Sequence, residues 1–175
     1  MQNLLRVIFL VLFISCNAIK VNYDYDKETE FSNYNTYNYY SEIETGLGEL
    51  DEKRLFKALD IALQSKGLVF SEEPDFLINI EGRSFQMPKN TSVGVGVGGT
   101  GRNVGGGVSV GIPLGSSKLE RQIVFDFVDA KKDQLFWQAV STSALKENLP
   151  PLVREQKLQE MVGKVLSKYP PKKRK

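Results

Sequence analysis

Apolar and polar side chains alternate from residue 19 onward, which is the pattern of a β-strand with one buried face. The apolar positions are Ile19, Val21, Tyr23 and Tyr25, and the polar positions are Lys20, Asn22, Asp24 and Asp26. Residues 31–40 are rich in aromatic side chains and predict a second strand. Tyrosine hydroxyls there could also bind a carbohydrate or peptide, although buried rings with hydrated tips are the more common use of such residues.

Two later segments repeat apolar residues at the spacing of an amphipathic helix. The first covers residues 51–67, with Asp51 expected to cap its start and Gly67 to end it in a left-handed conformation. Its apolar positions are Leu55, Phe56, Leu59, Ala62 and Leu63. The second helix begins near residues 150–151 and stops before residues 170–171. Its apolar positions are Leu158, Met161, Val162, Val165 and Leu166.

The remaining regular segments predict strands. A short strand is expected over residues 68–70 and another strand over residues 75–83. A hairpin is expected from residues 123–128 and 135–139 around a polar turn. Its second strand carries Leu135, Trp137 and Ala139 at alternate positions. Together these patterns predict the α+β class, with an antiparallel sheet, two helices packed on one of its faces, and a glycine-rich hairpin.

The glycine-rich segment covers residues 92–115 and holds ten of the 15 glycines. It contains the GxGxxG spacing twice, but no amphipathic helix follows to present its amides to a pyrophosphate, so a dinucleotide site is not predicted. Valines alternate on both sides of a turn rich in glycine and asparagine, which favours a hairpin. Because little fixes the register of such a ribbon, it is a candidate for self-association or for pairing with a partner protein.

The N-terminus has the anatomy of a secretory signal peptide. Arg6 is its only charge, and the short apolar run over residues 7–14 ends at Ser15, directly before the single cysteine, Cys16. Eight apolar residues are too few to span a bilayer as a helix. The stretch Phe-Ile-Ser-Cys resembles a bacterial lipobox, which predicts cleavage after residue 15 and lipidation of Cys16. Asn17, in place of the Asp that retains lipoproteins in the inner membrane of enteric bacteria, favours the outer membrane.

Composition limits the chemistry that this chain of 175 residues can perform. It has no histidine, which excludes His-based triads and His-ligated zinc, and one cysteine cannot form a thiolate cluster. Of the 23 basic residues, Arg6 lies in the leader and four form the tail at 172–175, so the single domain expected over residues 16–171 carries 18 basic against 21 acidic side chains. A mildly acidic domain offers no basic face for nucleic acid, and no metal or cofactor is expected.

Carboxylates are therefore the remaining candidates for catalysis. Asp24 with Asp26 and Asp126 with Asp129 are the two candidate pairs. The first pair shares the polar face of a strand, whereas Asp129 suits a turn residue that binds its own backbone. Residues 143–146 match SxxK, but the companion motifs of serine acyl-enzymes are absent. A non-enzymatic protein is expected, and a membrane-tethered hydrolase that uses carboxylates is the alternative.

Five segments together resemble one family of bacterial lipoproteins, the domain of unknown function 4136. They are VNYDYDKETEFSNYNTY at 21–37, RLFKALDIALQSKG at 54–67, EPDFLIN at 73–79, IVFDFVDAKKDQLFWQ at 123–138 and KVLSKYPP at 164–171. The resemblance implies a cell-envelope lipoprotein with an α+β domain, and it implies no known reaction. We therefore expect a lipid-anchored module that binds or supports another macromolecule.

Overall fold

A computed structural model describes residues 19–87, 92–93, 112–113, 118–146 and 148–172. The predicted leader, Cys16, most of the predicted glycine-rich hairpin and residues 173–175 of the tail lie outside them. The strands are β1 (Lys20–Tyr25), β2 (Thr36–Tyr39), β3 (Val69–Phe70), β4 (Phe76–Met87), β5 (Ser92–Val93), β6 (Ile112–Pro113), β7 (Lys118–Asp129) and β8 (Gln134–Ala144). The helices are α1 (Glu49–Gln64) and α2 (Pro151–Val165), with 3-10 turns at Phe31–Asn33 and Leu166–Lys168.

Six strands form one mixed sheet in the order β1-β8-β7-β4-β2-β3. Strands β1, β8, β7 and β4 pair antiparallel, whereas β2 pairs parallel with both β3 and β4. The prediction of an antiparallel sheet is therefore wrong for this half. Helix α1 connects β2 to β3 as a crossover, which returns the chain to the end of the sheet where β2 began and makes the two strands parallel.

The aromatic segment at residues 31–40 forms less strand than predicted. Its first part is the turn Phe31–Asn33, and β2 covers only Thr36–Tyr39. Phe31 packs edge-on against Phe136 and Tyr169, with ring centroids 5.8 and 5.9 Å away. These rings enter the core from a turn, so their enrichment reflects core packing as well as strand propensity.

The hairpin of β7 and β8 confirms the predicted strand pair, with one correction. A bulge lies at the Phe127/Val128 step, where Phe127 pairs with Trp137 and Val128 with Leu135, so Phe136 is an extra residue. Phe136 and Trp137 are both buried, whereas Leu135 is 51% exposed. In a regular strand Leu135 would share a face with Trp137. The extra residue breaks the alternation and puts Leu135 beside Val128 on the opposite face.

Helix α1 begins one turn earlier than a cap at Asp51 would require. Gly48 is the N-cap residue, and Asp51 lies in the first turn. The Asp51 carboxylate binds Arg54 at 2.6 Å and Arg154 of α2 at 2.8 Å, so it joins the two helices. Gly67, at φ +86°, adopts the expected left-handed conformation after the helix.

One face of the sheet and both helices share a single hydrophobic core. Phe76, Ile78 and Ile80 of β4 are buried on the face that also carries the buried residues of β7. The helices contribute the buried side chains Leu55, Ala58, Leu59, Leu63, Met161, Val162 and Val165. Leu158 is partly buried against the same core. The structure thus confirms the predicted inward stripe of the last helix.

Strand β4 continues to Met87, beyond the predicted end at residue 83, because it pairs with β7 along its whole length. At Gly82 the backbone of Thr45 lies against this strand. A Cβ atom on Gly82 would be 1.9 Å from the Thr45 carbonyl oxygen, so a glycine is required for this close approach.

Two described pieces of the glycine-rich segment pair with each other. Ser92 lies opposite Pro113 and Val93 opposite Ile112, as a short antiparallel ladder separate from the main sheet. Residues 94–111 lie outside the described residues, so the hairpin over 92–115 stays a prediction.

Trp137 is fully buried, and its ring centroid lies 4.5 Å from that of Phe127 and 5.3 Å from that of Tyr169. We expect Trp137→Ala to lower the free energy of unfolding by about 3–5 kcal/mol, because the vacated space cannot close completely. Urea unfolding of both proteins measures this difference. The matched control is Leu135→Ala, two positions away and half exposed, which should cost less than about 1 kcal/mol. Equal losses for the two variants would contradict the assignment of Trp137 to the core.

Candidate functional site

Asp126 and Asp129, the first candidate acid pair, lie in different surroundings. Asp126 is on the face of the sheet opposite the core and accepts a hydrogen bond from the Gln138 side-chain amide at 2.7 Å. Asp129 ends β7 and is buried. Its Oδ1 accepts the backbone amides of Lys131 and Lys132, at 2.9 and 2.8 Å. The structure therefore confirms Asp129 as a turn residue and does not bring the two carboxylates to one site.

The environment of Asp129 favours its charged form. Burial alone would raise the pKa of this carboxyl, but the Lys132 amide, the Tyr34 hydroxyl and the Lys131 amide all donate to it, and together they lower the pKa below its usual value. Tyr34 donates to Oδ2 at 2.8 Å. A carboxyl that stays ionised and has its oxygens occupied by donors is poorly suited to exchange protons near neutral pH.

The second candidate pair, Asp24 and Asp26, also serves local structure. Asp24 accepts the backbone amide of Tyr25 at 2.9 Å. Asp26 lies just beyond β1 and accepts the Glu28 amide at 3.0 Å and the Thr29 hydroxyl at 3.1 Å. Each carboxylate therefore binds groups in its own segment, and these contacts shape the end of β1 and the turn after it.

Asp60, which sequence reasoning missed, is a carboxylate that joins α1 to β2. It lies on α1, and its Oδ1 accepts the hydroxyls of Tyr37 at 2.8 Å and Tyr39 at 2.7 Å. Burial and the bond to Asp60 raise the pKa of both phenols. The sequence signal is a lone acid between the buried positions Leu59 and Leu63. The contact joins β2 to α1, and both tyrosine hydroxyls donate to a partner within the protein.

Asp75, a second acid that sequence reasoning missed, fixes the start of β2. Its Oδ2 accepts the amides of Asn35 and Thr36, both at 2.9 Å, and the Thr36 hydroxyl at 3.0 Å. Burial would raise the pKa of Asp75, but these donors and the charge of Lys131 lower it overall. These donors lie on the residue before the short parallel strand and on its first residue, so Asp75 acts as the cap of β2.

The other sequence motifs do not form a site among the described residues. Ser143 lies in β8, and Lys146 is exposed beyond the end of that strand. The two GxGxxG matches at residues 94–101 and the lipidation candidate Cys16 lie outside the described part of the chain. Across that part, no group of three or more acids, cysteines or histidines is arranged to hold a metal ion.

A depression of about 250 Å³ lies at the end of the β1–β8 pair. Its lining residues are Asp24, Tyr25, Asp26, Leu135, Phe136, Trp137 and Gln138. Pockets for drug-sized ligands usually measure roughly 300–1,000 Å³ and bring several polar groups together. This depression is smaller, and two of its polar side chains, Asp24 and Asp26, already bind neighbouring backbone amides.

Substitution of Asp129 tests whether its ionised carboxylate stabilises the turn. We expect Asp129→Asn to lower the free energy of unfolding at pH 7 by about 1–3 kcal/mol, since the charge-assisted bonds are lost. Because the folded-state pKa is lowered, the wild-type protein keeps this stabilisation above the unfolded pKa near 3.9 and loses it as pH falls through the folded pKa. Urea unfolding should show the gap between the proteins shrinking from pH 7 to about pH 3.

Asp133→Asn is the control, because this exposed residue of the same turn has φ +52°, a conformation that asparagine tolerates. Its effect should stay within about 0.5 kcal/mol at every pH. A gap for Asp129→Asn that stays constant with pH would contradict the ionised role of this carboxyl.

Solved structures of low sequence identity share the fold. A PDZ domain protein from Parabacteroides distasonis matches with a TM-score of 0.57 and 13% identity, over 99% of this chain. The chain spans 41% of the length of that protein. Two structures of the PelC dodecamer from Paraburkholderia phytofirmans, one of them a point variant, match with a TM-score of 0.50 over 86% of this chain. Their identities are 10% and 9%, and 95% and 96% of their chains are covered.

No curated protein sequence matches the chain. No helix in the described ranges combines the length and apolar character needed to cross a membrane. The model of the family "Domain of unknown function (DUF4136)" matches residues 21–171, which include both helices and the whole main sheet except Lys20, the first residue of β1. This confirms the resemblance drawn from the sequence segments, and the chain belongs to the DUF4136 family.

Proposed function

We propose that the protein is a lipid-anchored lipoprotein of the bacterial cell envelope that acts as a non-catalytic binding or structural module. The observation that carries the proposal is the position of Cys16, which follows a short apolar leader and a small residue. A single cysteine in an exported protein has no partner for an internal disulfide, and a lipidated thiol explains its presence.

The start of the folded domain supports this role. Strand β1 begins at Lys20, four residues after Cys16. Even a fully extended connection of that length spans at most roughly 14 Å, so a lipid on Cys16 would hold the sheet close to the membrane surface. Two or three acyl chains would anchor it firmly, because each buried methylene contributes about 0.8 kcal/mol. Asn17 supports the outer membrane as the location.

Five aspartates among the described residues support a non-catalytic role. Asp24, Asp26, Asp75 and Asp129 accept hydrogen bonds from nearby backbone amides, and Asp60 accepts those of two tyrosines. A carboxylate-based hydrolase, the alternative, requires an acid and a base that converge on one substrate bond. No observation on these residues favours that alternative.

The remaining part of the proposal is that the protein binds other macromolecules. Nucleic acid is not among them. The similarity of fold to PelC, whose solved form is a dodecamer, supports self-association as one such contact. The glycine-rich segment at 92–115 is a second candidate surface, for another copy or for a different envelope protein. Its alternating valines provide the strand pattern that such pairing requires.

Intact-mass analysis of the purified membrane fraction tests the anchor. The wild-type protein should begin at Cys16 and carry the added mass of a diacylglyceryl group and any further acyl chain. Cys16→Ser should lack this mass and leave the membrane fraction or remain unprocessed. Its thermal midpoint in detergent should equal that of the wild type, since β1 starts only at Lys20. Recovery of wild-type protein that is soluble and has a free Cys16 thiol would contradict the proposal.

A further inference from the structure

Strand β1 is the terminal strand at one edge of the main sheet. It pairs with β8 on one side, and among the described residues no strand pairs with its other side. The opposite edge is β3, which is only two residues long. Proteins usually protect long edges by shortening, covering or bulging them, because unpaired backbone groups there can bind a further strand. With six residues, β1 is long enough to act as such a binding edge.

The direction of the backbone groups of β1 follows from one hydrogen bond. The Asp26 amide donates to the Phe136 carbonyl of β8 at 3.0 Å, so amides at even positions point toward β8. The amides and carbonyls of Val21, Tyr23 and Tyr25 therefore point to the free side. The Tyr25 amide donates to the Asp24 carboxylate instead of to β8, which agrees with this direction. The free side thus carries a regular row of donors and acceptors.

The sequence of β1 is complementary to itself when two copies run antiparallel. If Asn22 lies on the two-fold axis, Lys20 of one copy faces Asp24 of the other, and Val21 faces Tyr23. Residues directly opposite each other share a face of the sheet, so charged groups meet opposite charges and apolar groups meet apolar groups. Lys20, Asn22 and Asp24 are all exposed in the single chain.

This register also agrees with the backbone. The backbone groups of Val21 and Tyr23 point away from β8, so Val21 of one copy and Tyr23 of the other form a hydrogen-bonded pair. Asn22 lies opposite Asn22 of the other copy as a non-hydrogen-bonded pair. A shift by two residues would place Lys20 opposite Asp26 instead. Both oxygens of the Asp26 carboxylate already accept hydrogen bonds, from the Glu28 amide and the Thr29 hydroxyl, whereas Asp24 uses only its Oδ1, for the Tyr25 amide. The register centred on Asn22 is therefore the favoured one.

We propose that β1 binds β1 of a second copy of this chain, antiparallel and centred on Asn22, which joins two sheets into one of twelve strands. The two-fold relation makes this an isologous interface with two Lys20–Asp24 pairs. One strand buries less surface than a standard protein interface, so we expect a reversible dimer with a dissociation constant on the order of tens of micromolar. The proposal does not depend on lipidation.

Disulfide trapping tests the register, using the full chain in detergent with Cys16→Ser as the background. Asn22→Cys then supplies the only thiol. Facing Cα atoms at a non-hydrogen-bonded pair lie about 4.5 Å apart, within the range of a disulfide, so mild oxidation should give a covalent dimer. The control is Thr142→Cys, on the same face of the neighbouring strand. Its thiols would lie more than about 7 Å apart and should not crosslink. Equal crosslinking of the two variants would overturn the proposal.

Charge exchange tests the same interface without a new cysteine. In sedimentation equilibrium, Lys20→Asp should weaken the dimer about tenfold or more, because both attractive pairs become repulsive. Adding Asp24→Lys should restore it to within about threefold of the starting protein. The control, Lys66→Asp, changes an exposed charge after α1 and should have no effect. A monomer at several hundred micromolar, or an oligomer that is indifferent to Lys20→Asp, would overturn the proposal.

Discussion

One extra residue in β8 organises the core of this protein. At the step between Phe127 and Val128 the partner strand contributes Leu135, Phe136 and Trp137, so two adjacent aromatic side chains are both buried. The Phe136 ring stacks on Tyr34, with centroids 4.0 Å apart and planes 4° from parallel. In a regular strand Phe136 and Trp137 could not both enter this core, because neighbouring residues there point to opposite faces of the sheet.

The two buried rings tie distant parts of the chain together. Phe136 contacts the turn after β1, and Trp137 contacts Tyr169 near the C-terminal end of the domain. Tyr23 of β1 packs against Trp137 and donates a hydrogen bond to the Lys164 carbonyl of α2. Strand β1 is thus held along one edge by β8 and on one face by α2. A strand fixed in this way presents a rigid outer edge, and it begins close to the proposed lipid anchor.

Features with a local cause could be predicted from the sequence. Strand β1, the β7–β8 hairpin, the apolar stripe of α2 and the turn role of Asp129 each follow from side-chain spacing within one segment. Features set by distant contacts could not. The parallel pairing of β2 depends on where α1 returns the chain, and the role of Asp60 depends on two tyrosines about twenty residues away. The bulge at Phe136 has no signal in the alternation, which continues through Leu135 and Trp137 as if the strand were regular.

Deletion of Phe136 tests the central role of the bulge most directly. Val128 already pairs with Leu135 and Phe127 with Trp137, so the deletion would leave a regular ladder with these pairs unchanged. If the buried ring organises the core, urea unfolding should show a loss of at least about 3 kcal/mol in the free energy of unfolding, despite the more regular sheet. A deletion variant as stable as the wild type, or more stable, would contradict this view.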